Sequence, residues 1–197
     1  MRLFLLFIAV ITIVNTANAD ILVDPIIWPV NGHSYYLLTQ NTWAASQQEA
    51  ISLGGNLVTI NSGLEDAWVF DTFARAGGSG RALWIGYRRT AVGSSFGWVS
   101  GDPSGYTNWA PGEPNFDTEF YTYMLPTLNE NPVAGKWNND YDRSTSTYTG
   151  SGFVIPTFAI YGVVEVVPEP ATLLLLGLGA MLLRKRVVNL GDKFRKK

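Results

Sequence analysis

Apolar and polar positions alternate along the chain in blocks that predict a short list of elements. Tyr35-Tyr36-Leu37-Leu38, following an Asn31-Gly32 turn, predicts a strand. From about Thr42 to Leu53, Trp43/Ala44 and Ala50/Ile51 recur at a spacing of seven and Gly54-Gly55 stops the run, which predicts a helix. Leu57-Val58-Thr59-Ile60 reads as a short extended piece. Ser62-Gly63-Leu64-Glu65 has the form of a capping box, in which serine and glutamate satisfy each other's free amides. It predicts a second helix with Leu64, Ala67 and Trp68 on one face, ending by Gly77-Gly78. Strands are expected at Leu83–Tyr87, Phe120–Leu125 and Phe158–Val166, separated by a long irregular stretch from Arg88 to Asp117. Two helices come first and most strands later, so the fold class is α+β rather than a wound parallel sheet.

The two ends follow a different pattern. Arg2, the apolar run Leu3–Val14 and Ala17-Asn18-Ala19 form a charged start, an apolar centre and a small-x-small cleavage site. The run is shorter than the roughly 20 residues a membrane helix needs, so residues 1–19 are read as a signal peptide for signal peptidase, with the mature chain starting at Asp20. At the other end Val167-Pro168-Glu169-Pro170 precedes a short apolar segment, Ala171–Leu183, and the cluster Arg184-Lys185-Arg186. Positive charge after an apolar segment stays cytoplasmic, which places residues 20–167 outside the inner membrane. The Pro-Glu-Pro, the apolar segment and the arginine cluster closely resemble the PEP-CTERM sorting signal of Gram-negative bacteria. The resemblance implies processing by an exosortase in cells that make extracellular polysaccharide, and a protein first anchored in the inner membrane by this segment. The expected organisation is a signal peptide at 1–19, one domain at 20–166 and a sorting tail at 167–197.

Composition narrows the chemistry. The chain of 197 residues contains no cysteine and one histidine, His33, which excludes disulfides, thiolate metal sites, iron–sulfur clusters and two-histidine zinc sites. Chemistry must run on carboxylates, amides and aromatic rings. The formal charge of −2 hides a division, because eight of the 14 basic residues lie in the two ends. Six basic and fourteen acidic groups remain in 20–167, a net of −8. Such a domain repels phosphate backbones and suits cations or neutral ligands, so no nucleic-acid partner is expected. His33 is read as a surface or turn residue, Arg88-Arg89 as a short exposed pair and Asp117 as a solvated loop carboxylate. Trp84, Trp98, Trp109 and Trp137 are expected in the core, where large aromatic burial replaces missing disulfides.

The irregular stretch is far longer than the usual connection of about 4–6 residues, which marks it as functional. It contains Asn108-Trp109-Ala110-Pro111-Gly112-Glu113-Pro114-Asn115, followed by Glu119 and then by Lys136-Trp137-Asn138-Asn139-Asp140. Glu113, Asn115 and Glu119 supply hard oxygen donors, and a second set of amide and carboxylate oxygens lies beside Trp137. Calcium takes about six to eight such oxygens in a flexible geometry, whereas magnesium prefers water and strict octahedral order.

Trp43–Asp71, Trp84-Ile85-Gly86-Tyr87, Glu113-Pro114-Asn115, Trp137-Asn138-Asn139-Asp140 and Tyr161-Gly162-Val163-Val164-Glu165 together resemble the C-type lectin domain along nearly all of 28–166. The resemblance implies a C-type lectin-like fold with two helices, small antiparallel sheets and a long irregular binding loop. It implies that Glu113 and Asn115 bind one calcium ion and hydrogen-bond two vicinal sugar hydroxyls, with a cis proline between them. Glu119 matches the later loop glutamate. The Glu-Pro-Asn order is the mannose-type pattern, so mannose, glucose and N-acetylglucosamine, or an exopolysaccharide built from them, are the implied partners. After Trp137 the family has Asn-Asp, whereas this chain has Asn-Asn-Asp. Either Asn138 and Asn139 are the ligands, or a one-residue insertion brings Asn139 and Asp140 into place. An auxiliary site would need a carboxylate where this chain has Phe116, so one ion is expected. The implied function is non-enzymatic calcium-dependent carbohydrate binding in the cell envelope or extracellular matrix. The alternatives are a scaffold of the same fold without a working sugar site, and a glycosidase, which would need Glu113 and Glu119 about 5–10 Å apart.

Overall fold

A computed structural model describes residues 20–75, 80–128, 131–150 and 152–168. The signal peptide and the sorting tail beyond Pro168 lie outside these residues. The elements in chain order are β1 (Ile21–Ile27), β2 (Ser34–Gln40), α1 (Trp43–Ser52), β3 (Asn56–Leu57), α2 (Gly63–Val69) with a π-helical turn over Phe70–Ala74, β4 (Ala82–Arg88), β5 (Gly97–Trp98), β6 (Tyr121–Met124), β7 (Trp137–Asp140), β8 (Thr145–Gly150) and β9 (Phe153–Val166). The α+β reading holds. The sheet is mixed rather than purely antiparallel. Its order is β1-β2-β9-β4-β6-β7, and β4 runs parallel to β9 with Leu83 opposite Tyr161.

Each local choice has a physical reason. Thr42 caps α1, its hydroxyl accepting from the Ala45 amide at 3.3 Å, and Gly54 at φ +83° turns the chain out of the helix. Ser62 caps α2 by accepting from the Glu65 amide at 3.2 Å. The Glu65 carboxylate does not return to Ser62 as a capping box would. It accepts from the Asn61 amide at 2.8 Å and from the Tyr35 hydroxyl at 2.7 Å, deep in the core. The fully buried residues of α2 are therefore Glu65, Asp66 and Val69; of the expected face only Trp68 packs on the core, partly buried against Trp28, Tyr35 and Phe73, while Leu64 is 64% exposed. The helix also gives way to the π-helical turn after Val69 instead of continuing toward Gly77.

Strand β4 is buried on both faces, and its alternation divides the core. Leu83 and Ile85 join Tyr35, Val58, Phe73, Trp98, Met124 and Trp137 on one side, while Ala82 and Trp84 join Trp43, Tyr123, Phe158 and Ile160 on the other. Trp137 and Trp84 are fully buried, Trp98 is buried and Trp109 packs partly buried against them, so the tryptophans are core as expected. Two other expectations change. Arg89 is buried, 5% exposed, where an exposed pair was expected. His33 is half-buried, its Nδ1 2.6 Å from the Glu165 carboxylate at the end of β9.

Candidate functional site

The irregular stretch is rooted before it reaches its polar tip. Trp109 bridges Trp137 of β7, with the Ala110 amide donating to the Trp137 carbonyl and the Trp137 amide donating to the Asn108 carbonyl, both at 2.8 Å. Asp66 of α2 ties the same point from below, accepting from Trp137 Nε1 at 2.8 Å and from Asn108 Nδ2 at 2.6 Å. Burial pushes the Asp66 carboxyl up to about 6, against the pull of those two donors and of Lys136. The sequence reading missed Asp66. Its only sequence signal is a carboxylate one residue after the cap glutamate, on what looked like the solvent face.

Beyond that root the Glu113 amide donates to the Ala110 carbonyl at 3.0 Å, Gly112 takes φ +88°, and the Glu113–Pro114 peptide is cis. Asn115 Nδ2 donates to Glu113 Oε1 at 3.2 Å. The other Glu113 oxygen, Oε2, is buried without a hydrogen-bond partner. Asn138 donates through Nδ2 to the Tyr123 hydroxyl at 2.9 Å, and its Oδ1 is likewise buried and unpartnered. Two orphaned acceptor oxygens are what a cation would satisfy, and neither can be satisfied by another acceptor.

Period-two alternation along β7 separates the three residues after Trp137. Asn138 and Asp140 share one face. Asn139 takes the other, where it holds the loop backbone: its Oδ1 accepts from the Asn115 amide at 3.3 Å, and its Nδ2 donates to the carbonyls of Phe116 at 3.0 Å and Glu119 at 3.4 Å. Asp140 is fully engaged. Its Oδ1 accepts from the Tyr141 amide at 2.7 Å and from Arg143 Nε at 3.1 Å, and its Oδ2 accepts from the Ser146 hydroxyl. Asp117 is exposed but not merely solvated, since it pairs with buried Arg89 at 2.6 Å.

Of the three acidic side chains near the loop, Glu119 feels both Asp140 and Glu113. Burial, then Asp140 and Glu113, push the Glu119 carboxyl up to about 7, with Arg143 and Arg89 offsetting part of the rise. Burial also pushes Glu113 up, opposed by hydrogen bonding from Asn115. Among the described residues no three carboxylate, imidazole or thiol groups converge closely enough to hold an ion unaided, so amide oxygens must contribute.

A pH dependence follows from these directions. Asp66 at about 6 and Glu119 at about 7 bind protons more tightly in the folded chain than in the unfolded one. Their contribution is fully present below the ordinary carboxylate range and is lost as the pH rises through about 6 to 7. In chelator, the melting temperature is expected to fall between pH 5 and pH 7.5. Differential scanning calorimetry across that window checks it, and a melting temperature that rises with pH would contradict the assignment.

The chain is an α+β domain with one oxygen-rich loop held against a short polar strand. The model of the lectin C-type domain matches residues 39–149, more than half of the chain, and the PEP-CTERM protein-sorting motif matches 166–186. The chain belongs to the C-type lectin domain family. It is 30% identical over 124 residues to C-type mannose receptor 2 of Rattus norvegicus, covering 62% of this chain and 8% of the receptor. Solved structures share its fold, two among them with the same TM-score. The C-type lectin CEL-I from Cucumaria echinata has a TM-score of 0.54 and 23% identity, covering 73% of this chain and 98% of CEL-I. A calcium-independent type II antifreeze protein has a TM-score of 0.54 and 20% identity, covering 74% and 95%. The chain spans 7% of the secretory phospholipase A2 receptor of Mus musculus and 8% of that mannose receptor. Domains of this family generally bind rather than catalyse, and the sorting motif marks an exported protein anchored at the membrane before processing. Among the described residues no helix is long and apolar enough to cross a membrane.

Proposed function

We propose that residues 20–166 form a calcium-dependent carbohydrate-binding module, displayed in the cell envelope or extracellular matrix after processing by signal peptidase and an exosortase. The observation that carries this reading is that Glu113 Oε2 and Asn138 Oδ1 are both buried without partners, while the Glu113 and Glu119 carboxyls are raised. Glu113, Asn115, Glu119 and Asn138 would hold the ion, joined by Asp140 once it exchanges its present partners. Asn139, placed among the candidate ligands from its position after Trp137, acts here through the loop backbone it braces. A bound calcium ion supplies open positions for two vicinal hydroxyls. Glu113 accepts a hydrogen bond from one hydroxyl and Asn115 donates to the other, which fixes the sugar's orientation. Equatorial vicinal pairs, as in mannose and glucose, are the substrate class.

Asp140 favours a second reading, a scaffold of the same fold with no working sugar site, because both of its carboxylate oxygens are already engaged by Tyr141, Arg143 and Ser146. Calcium separates the two. On the first reading calcium raises the melting temperature, since an ion that binds only the folded chain adds stability by mass action. The protein is also retained on mannose-agarose and released by chelator. A melting temperature indifferent to millimolar calcium, with no retention, would establish the scaffold.

A further inference from the structure

We propose that Arg143 is a tethered cation that occupies Asp140 in the ion-free protein and competes with calcium for it, so that the site is held in shape without the ion and binds it weakly. This rests on the calcium reading above and concerns how that site is regulated.

The geometry carries it. Arg143 Nε stands 3.1 Å from Asp140 Oδ1, three residues back along the chain, and the Asp140 side chain is only 5% exposed. A cation that close offsets part of the cost of burying the carboxylate's charge. The guanidinium lies over the Tyr141 ring at 5.0 Å, and the Tyr141 hydroxyl meets the Thr118 hydroxyl at 3.1 Å, in the loop between Asn115 and Glu119. Arg143 is thus linked to the loop through Tyr141, and its field extends to Glu119. It is itself 42% exposed, on the turn between β7 and β8, so it can swing into solvent without disturbing the core. Asn138, whose Oδ1 has no hydrogen-bond partner, lies on the same strand face as Asp140, while the contacts of Arg143 are with Asp140 and Tyr141.

The exchange is one of partners with no covalent change. Calcium takes the Asp140 oxygen, Arg143 leaves it for water, and the Tyr141 amide and Ser146 hydroxyl keep the carboxylate oriented. Such a site trades affinity for survival: the ion must displace a resident charge, yet the loop does not collapse when the ion departs. In a chain without cysteine that matters more than it would in a disulfide-stapled one.

The test is calcium titration calorimetry on the full chain in mild detergent, with wild type, Arg143→Ala and Arg143→Lys, together with melting in chelator and in saturating calcium. Removing the competing charge is expected to tighten calcium binding about tenfold in Arg143→Ala. The same variant melts lower than wild type in chelator, and the deficit disappears in saturating calcium. Arg143→Lys keeps the charge and stays near wild type in affinity. Calcium binding by Arg143→Ala where wild type shows none would also support the proposal. An Arg143→Ala affinity equal to or weaker than wild type overturns it while leaving the calcium reading intact. Absence of binding in all three proteins overturns the calcium reading and this proposal together.

Discussion

Trp137→Ala is expected to remove most of the folding free energy of the domain. The side chain is fully buried and is ringed by Tyr87, Trp98, Tyr106 and Trp109 at centroid distances of 5.8 to 5.9 Å. Truncating a buried aromatic of this size costs about 3–5 kcal/mol. Leaving the buried Asp66 carboxylate without its indole donor adds about 1–3 kcal/mol, against a total stability of about 5–15 kcal/mol for a domain. Trp137→Phe keeps most of the apolar contact and loses only the donor, so its cost should be near the second figure. Urea unfolding followed by circular dichroism checks both. If Trp137→Ala unfolds within about 1 kcal/mol of wild type, the aromatic cluster is not the support of the loop.

The second large effect is on the ion. Glu113→Gln keeps the shape of the side chain and removes a charge from a carboxylate that burial already disfavours. In chelator the variant should be as stable as wild type or slightly more so. Calcium affinity should fall by roughly two orders of magnitude, because ligand charge sets the strength of such sites. Retention on mannose-agarose should go with it. Adding Asn115→Asp exchanges the positions of carboxylate and amide, and the sugar preference is expected to move. Wild-type retention by Glu113→Gln in excess chelator would show that sugar recognition does not pass through this oxygen. The two signs, stability kept and ion lost, separate a ligand from a residue that merely packs.

The parts of the fold legible in the sequence are those where burial and periodicity agree. Helix α1 reads correctly because Thr42 caps it and Gly54 ends it, and β4 reads correctly because both of its faces are apolar. The strands that escaped notice are those whose side chains are polar or interrupted. Strand β1, Ile21–Ile27, carries Asp24-Pro25 in its middle and is mostly exposed, so alternation gives no signal there. Strands β7 and β8 read Trp-Asn-Asn-Asp and Thr-Ser-Thr-Tyr-Thr-Gly, and their partners β6 and β9 make them strands. Strand β9 begins five residues earlier than expected because Pro156 falls at a bulge opposite β8, where a proline is tolerated.

The site was legible as a set of residue types and not as an arrangement. Glu113, Asn115 and Glu119 follow from the loop's oxygen content. Which of Asn138, Asn139 and Asp140 face it depends on strand parity, which the sequence leaves open until β7 is known to pair with β6 through Tyr123 opposite Asn138. The pairings of Arg89 and Arg143 were invisible for a different reason. Their partners, Asp117 and Asp140, sit 28 and three positions away along the chain, and only folding reveals that each cation is shared with the loop.

Strand β9 ends at Val166, where the match to the sorting motif begins, and it lies in the interior of the sheet between β2 and β4. The tail is thus joined to the sheet's middle rather than to its rim. Tension between a membrane-held tail and a polymer held at Glu113 would run from β9 through β4 and β6 to β7, across ladders whose hydrogen bonds share the load along their length. A pull on a tether attached there would meet the β9 ladders with β2 and β3 first.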